Sequence, residues 1–389
     1  MTIHTAFRFS QPAAPHLETA ARRATDREGL SGLLSALGIE CEADAQDDQI
    51  LRRMLRRPDI AFACRIAERG SLLFMLAELS GEIGSAVIIE TARAFRAVEP
   101  VRPFLAIIAA ANYRSITLAC FAAGELRHLT FDPASPLASD LDILRDMVSS
   151  RDDSGVAVAL RFATALDSRV VNARFFAEVR SQRDRIAAAW SGIPVELKAE
   201  RDQLALLLLC RLLFLYFLER QGHLAGDPHY LQHMLQRWQR DGDQHSSLYG
   251  RVLSPLFFGC LNTRPERRTA DALALGPLPY LNGGLFDRHA LERRYPDLDL
   301  PDSTAAAVFE NLLERFRFTA NDAATAFASD LKTTQIDPEM LGRVFEGLMS
   351  ADRRGDTGSF YTPPHMVGRL TSRVLTEHVS RVTGEPYDA

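Results

Sequence analysis

At 389 residues, with 47% hydrophobic and 24% charged side chains, the chain has a folded-protein composition and is too long for one ordinary core. Fibrous and disordered classes are excluded, and two or three domains are expected. Its 45 basic and 50 acidic side chains leave a formal charge of −5, so no global positive field draws it to nucleic acid and any such contact must be local. Lys198 and Lys332 are the only lysines; every other basic residue is arginine, a bias that a GC-rich genome produces and that also suits bidentate phosphate contacts. The five cysteines (Cys41, Cys64, Cys120, Cys210, Cys260) stand far apart, with no C-x-x-C pair and no His cluster at zinc spacing. They read as reduced, buried thiols, and no metal site is expected.

In chain order, the amino terminus MTIHTAFRFSQPAAPHLETAARR lacks the apolar core of a signal peptide. No uncharged run reaches the roughly 18 residues of a membrane span, so no membrane contact and a cytoplasmic location are expected. A helix is expected around Asp47 to Arg57. From about Ser71 to Asp132, short β-branched and aromatic runs (SLLFMLAEL, SAVIIETA, FLAIIAAA, RSITLACF, LRHLTFD) separated by turn residues predict a small sheet. FLAIIAAA and RSITLACF, parted by Asn112 and Tyr113, read as a hairpin, and Gly124 turns the chain into the next strand. A second helix follows from Ser139 to Val148. Residues 1–150 are thus expected to form an α+β domain, with the polar run SSRDDSG (149–155) as a linker.

Helical periodicity then dominates, and 156–350 are expected to form a mainly α-helical connector domain. Its central segment, Leu204 to Leu218, is apolar on every face except at Arg211. That is too short and too polar for a bilayer span, and reads as a helix buried all round and ended near Gly222. Arg211 is either paired structurally or reaches a phosphate. A second break, ADRRGDTG (351–358), precedes Ser359-Phe360-Tyr361-Thr362-Pro363-Pro364 and an apolar-periodic helix to Val379. Thr362 suits a helix N-cap and Pro363 the first helical position; the N–H groups at such an end favour an anion such as an amino-acid carboxylate.

Four blocks carry a family resemblance. G-S-F-Y-T-P-P (358–364) resembles the cofactor motif that precedes the core of adenine-N6 methyltransferases whose cofactor motif comes ahead of their catalytic motif. Pro279-Tyr280-Leu281-Asn282-Gly283-Gly284-Leu285-Phe286-Asp287 resembles the Y-L-N-G-G-L-F-[ED] block of type IIG restriction–modification enzymes and of the large methyltransferases of BREX-type phage-defence systems. Ile336-Asp337-Pro338-Glu339-Met340-Leu341-Gly342-Arg343-Val344-Phe345-Glu346 is similar to their I-D-P-E-[IL]-L-G-x-[VI]-[FY]-E block, and the long helix with Arg211 to Leu218 is similar to theirs.

Read by themselves, the glycines and Asn282 make a tight turn that packs Leu285 and Phe286, or a loop facing cofactor or DNA. Asp337-Pro338-Glu339 reads as a capped helix start that packs Leu341, Val344 and Phe345, with Glu346 on its apolar side.

The resemblance implies an S-adenosylmethionine-dependent DNA methyltransferase, with Phe360, Tyr361, Thr362 and Pro363 lining the cofactor site and duplex DNA as partner. The family's Gly-rich turn with its acid, and the [ND]-P-P-[YF] segment that grips a flipped adenine, do not occur in these 389 residues. The chain is therefore expected to be a front portion, with 356–389 holding the first helix of an incomplete Rossmann-like domain. No catalytic residue is expected in it, and cofactor binding should require the missing core in cis or in trans. A non-catalytic DNA-binding or assembly subunit of a defence system is the alternative. A nuclease site of the P-D…[DE]-x-K kind is incomplete: Pro58-Asp59 is present, but Glu90-Thr91-Ala92-Arg93 lacks the lysine. Candidate DNA contacts are Arg52, Arg53, Arg56 and Arg57 on the first helix, Arg264, Arg267 and Arg268 in a loop, and Arg353 and Arg354 ahead of the cofactor motif.

Overall fold

The computed structural model describes residues 7–8, 16–41, 44–45, 48–55, 58–241, 247–281, 284–318, 331–336, 340, 342–344 and 364–383. Residues 1–338 form one compact unit and 339–389 a second, and each is described by itself.

The first unit opens with a two-residue strand, β1 (Phe7–Arg8), paired antiparallel with β2 (Asp44–Ala45). Between them lie α1 (Leu17–Arg23) and α2 (Arg27–Ala36), the latter capped by Asp26, whose carboxylate accepts from the Gly29 N–H. After α3 (Gln49–Leu55), the strands β3 (Ile60–Arg69) and β4 (Leu72–Leu79) form an antiparallel pair. Helix α4 (Ser85–Val98) then carries the chain to β5 (Phe104–Ala109), followed by β6 (Ile116–Ala122), β7 (Glu125–Phe131) and, late in the chain, β8 (Leu331–Thr333). The six strands lie side by side in chain order from β3 to β8.

The segment SAVIIETA, expected as a strand, is the first half of α4. The reason is topological: β4 and β5 run parallel, and parallel neighbours need a crossover that two-residue turns cannot supply. Its buried residues, Ile88, Thr91, Ala92 and Phe95, recur at helical spacing and cover one face of the sheet together with α3. The sheet also begins earlier than expected, at Ile60. As an edge strand, β3 exposes Arg65 and Glu68 between buried residues, which breaks up its apolar run. Every residue of β5 is buried, as for a central strand covered on both faces. The β5–β6 hairpin turns through Asn112 and Tyr113, both at positive φ, and β6–β7 through Ala123 and Gly124, a turn of the primed type.

Helix α5 (Ala138–Met147) follows the sheet. The polar segment 149–155 is pinned rather than slack: Ser149 donates N–H and hydroxyl to the Leu37 carbonyl, and Arg69 reaches the Ser150 and Gly38 carbonyls. A Cβ on Gly155 would stand 1.9 Å from the Arg69 carbonyl oxygen. There α6 (Gly155–Ala165) begins, capped by Ser154, and lays Phe162 edge-on against Phe74 of β4.

Helices α7 (Ser168–Ala189) and α8 (Lys198–Arg220) pack on each other. No residue from Gln203 to Arg220 is exposed, and α8 ends in left-handed Gly222 with the His223 N–H returned to Leu218. Buried Arg201 closes the carboxyl end of α7 by donating to the carbonyls of Ala187, Ala188, Trp190 and Ile193. Phe318 joins Phe175, Tyr216 and Phe217 through ring contacts of 5.1 to 6.0 Å, tying α7 and α8 to the chain just ahead of β8. The unit is completed by α9 (Tyr230–Asp241), π-helical turns at Tyr249–Leu253, Pro255–Leu261 and Phe309–Leu313, and the short helices α10 (Ala270–Leu273), α11 (Ala290–Arg294) and α12 (Asp302–Val308).

In the second unit, residues 342–344 are helical and Met340 and Val344 are buried. Asp337, Pro338, Glu339, Leu341, Phe345 and Glu346 lie outside the described residues. Helix α13 (Pro364–Thr383) has Met366, Leu370, Val374 and Leu375 exposed. No helix among the described residues is long and apolar enough to cross a membrane.

Candidate functional site

Two arginines hold the ends of the block Pro279–Asp287. At its start, Arg268 spends its guanidinium on backbone: Nη1 donates to the Leu278 carbonyl at 2.9 Å, Nη2 to Cys260 and Pro279 at 3.0 and 3.2 Å, and Nε to Thr263 at 3.1 Å. The Leu281 N–H adds a bond to the Leu261 carbonyl. The loop's first residues are thereby stitched to the end of the π-helical segment.

At its far end, Arg211 of α8 donates to the Leu285 carbonyl at 2.7 Å and the Asp287 carbonyl at 2.9 Å, and forks onto Glu292 of α11 at 2.6 and 3.1 Å. Glu292 also accepts the His289 N–H, closing a capping box with the His289 side chain at the start of α11. Phe286, between the two anchored carbonyls, is buried against Phe257 and Phe214. Arg211 is thus the paired structural arginine, its charge neutralised by Glu292, and the phosphate alternative is overturned because its donors are taken. Asn282 and Gly283, between the anchors, lie outside the described residues.

A guanidinium is the group this arrangement requires. It presents five N–H donors in a plane and keeps its charge, so one side chain satisfies several buried carbonyls that an ammonium on a flexible stem could not reach together. Beneath the loop, the Phe258 ring has Arg211 at 5.1 Å and Arg288 at 4.1 Å from its centroid. Farther along α8, burial pushes the Glu219 carboxyl up to about 8, against weaker opposing pulls from the Leu231 N–H and Arg220. A largely apolar groove of about 640 Å³ opens beside Arg268, with Pro265, Pro277, Leu278 and Pro279 in its wall.

Of the other expected residues, Arg264 and Arg267 are exposed, and Arg264 stacks on Tyr280 at 5.8 Å. Arg268 leaves the DNA-facing set, because its N–H groups are occupied by the backbone. Phe360, Tyr361, Thr362 and Pro363, together with Arg353 and Arg354, lie outside the described residues, as do Arg56 and Arg57. Arg52 and Arg53 sit exposed on α3. In the incomplete nuclease pattern, Glu90 and Arg93 stand on helix α4 rather than after a strand, and Ala92 is buried in the core. Among the described residues no group of three His, Cys, Asp or Glu side chains is placed to hold a metal ion. Sequence reasoning missed Arg288, Phe258 and the π-helical turns. Nothing in the periodicity separates a π from an α turn, and Arg288 becomes conspicuous only when the chain returns it to Phe258.

Against this geometry, one relative can be set. The chain is 28% identical over 197 residues to a Methanocaldococcus jannaschii protein named as a type II restriction enzyme and methyltransferase. It is similar to part of a restriction–modification protein. The matched stretch is 48% of this chain and only 15% of that protein. No family model matches the chain, and no solved structure matches it.

Proposed function

We propose that this chain is the front portion of an S-adenosylmethionine-dependent adenine-N6 DNA methyltransferase of restriction–modification or phage-defence type. In this reading the α+β and helical regions position a core on duplex DNA, and Phe360, Tyr361, Thr362 and Pro363 form one wall of the cofactor site. The observation that carries it is the Pro279–Asp287 block: its resemblance to restriction–modification enzymes coincides with a loop that two arginines hold at both ends. The similarity to the M. jannaschii protein supports the same direction.

The donor set for the cofactor is one-sided. The resemblance assigns four residues directly ahead of α13, whose first-turn N–H groups suit a carboxylate. The Gly-rich turn and its acid do not occur in the 389 residues. When bound, the cofactor would supply an activated methyl group; the residues of this chain would hold and orient it while another segment presents the adenine. Because the [ND]-P-P-[YF] segment is likewise absent from this sequence, a non-catalytic DNA-binding or assembly subunit paired with a separate core is the second reading.

The experiment is methyl transfer from labelled S-adenosylmethionine to duplex DNA. The chain alone should give no incorporation, and a core carrying the two missing motifs should restore it at adenine N6. Robust transfer by the chain alone would refute the division of labour. If an active core gains nothing from this chain, the methyltransferase assignment fails.

A further inference from the structure

The segment Arg315-Phe316-Arg317-Phe318 alternates charge with ring, and the two kinds of side chain go to different places. Arg317 donates to Asp140 at 2.8 Å and Arg315 to Asp142 at 2.5 Å, both acids of α5, and the Ser139 N–H of α5 donates to the Arg315 carbonyl at 3.1 Å. The rings turn to the helix pair. Phe316 meets Phe175 of α7 edge-on at 5.3 Å, and Phe318 meets Phe175 together with Tyr216 and Phe217 of α8. The remaining aspartate of α5, Asp146, takes Arg174 of α7 at 2.5 Å. All three acids of α5 are thus spent on arginines from beyond α6.

We propose that Arg315–Phe318 is a two-sided strap that couples α5, and through α6 the sheet, to the α7–α8 pair, so that both parts of the first unit keep one fixed arrangement. Helix α8 then offers Arg211 to the 279–287 block from a base that cannot shift against the sheet. These contacts lie within the first unit, and the coupling holds whether or not the methyltransferase reading does.

The two sides of the strap differ in how they can open. Phe316 and Phe318 are 3% and 6% exposed and stay dry. A cleft of about 420 Å³, lined in part by Asp142, Asp146, Arg174 and Arg315, brings solvent to the ionic side. Asp142 is bound by Arg145 as well, at 2.5 Å, so it remains neutralised when Arg315 leaves. Asp140 is different: its side chain is 2% exposed, and without Arg317 it would keep only the Leu137 N–H. A buried carboxylate stripped of its cation is costly, so Arg317 is the firm attachment and Arg315 the one that yields first.

The test uses the full chain, with urea unfolding followed by circular dichroism and hydrogen–deuterium exchange read by mass spectrometry on peptides from β4–β7 and from α7–α8. Wild type should unfold in one transition, and both sets of peptides should lose protection together. Arg315→Ala with Arg317→Ala should split the transition, with exchange in the two parts differing at least about tenfold at intermediate urea. If that variant does not fold, Arg315→Ala alone should separate them at least about threefold. Arg145→Ala removes an arginine from the same Asp142 carboxylate, but one that belongs to α5 itself, and should leave a single transition. Separation in Arg145→Ala would mean that charge on Asp142, not bridging, is what matters. That result, a wild type that already unfolds in two steps, or strap variants with matched exchange in both parts would overturn the coupling.

Discussion

Replacing Arg211 with methionine keeps most of the apolar stem and removes the guanidinium from a site where its side chain is 1% exposed and that of Glu292 is 5% exposed. The Glu292 carboxylate then stays buried with only the His289 N–H beside it, and the Leu285 and Asp287 carbonyls lose their donors. Breaking one side of a buried pair costs about 3–5 kcal/mol, most of it the penalty of the charge left behind. Glu292→Gln should be costly for the converse reason, a stranded cation. Since Gln retains an acceptor for His289, the double variant should be less destabilised than the sum by at least about 2 kcal/mol. Equilibrium urea unfolding followed by tryptophan fluorescence of the two single variants and the double gives the cycle. A cost below about 1 kcal/mol for Arg211→Met, or simple additivity, would refute the claim that this pair anchors the loop.

Other outcomes follow from particular sites. Glu219 is protonated in the folded state up to a pH of about 8 but ionises near 4.5 when exposed, so its contribution to stability falls as pH rises through that window and levels off above it. Glu219→Gln should gain on wild type by a few kcal/mol (order of magnitude) between pH 5 and 8.5 in melting experiments, and parallel profiles would show the carboxyl is not held neutral. Gly155→Ala forces a Cβ onto the Arg69 carbonyl and should cost about 1–3 kcal/mol by denaturation; a neutral result would mean that the start of α6 is not wedged there. Native thiol titration should modify Cys41, the partly exposed cysteine, ahead of Cys64, Cys120, Cys210 and Cys260, which should react only on unfolding. Burial pushes the Cys120 thiol up to about 12, so rapid native labelling there would contradict its placement. In an enzyme reconstituted with a core, Thr362→Ala should weaken S-adenosylmethionine binding by calorimetry, and unchanged affinity would remove Thr362 from the site.

The sequence showed most clearly those elements whose apolar pattern has one cause. Leu204 to Leu218 announces burial and most of it is buried, although Leu207, Phe214 and Leu218 fall on one half-buried stripe where the apolar pattern alone predicts full cover; Gly222 ends the helix because left-handed backbone suits glycine. The strand runs at 72–79, 104–109 and 116–131 were legible for the same reason. Val87, Ile88 and Ile89 misled because β-branched residues suit a strand in isolation, and only the parallel relation of β4 to β5 demands a helix there. The loop block was legible as a motif, but its anchors were not. Arg268 looks like one of several surface charges until the carbonyls of 260, 263, 278 and 279 converge on it, and Glu292 reveals its two roles only when α8 is laid beside α11. Arginine abundance, read first as composition or phosphate affinity, proves at Arg201, Arg211 and Arg268 to be a means of satisfying clustered backbone oxygens.

Strand β8 has a consequence for how the molecule is made. Residues 331–333 pair with 126–128, so the β7 margin of the sheet gains its neighbour only after some two hundred further residues have been synthesised. During that interval an unpaired row of amide and carbonyl groups can recruit another chain, the usual route to intermolecular pairing. A fragment cut near residue 150 would keep that margin bare permanently, and should precipitate or self-associate even though its composition is that of a well-behaved globule.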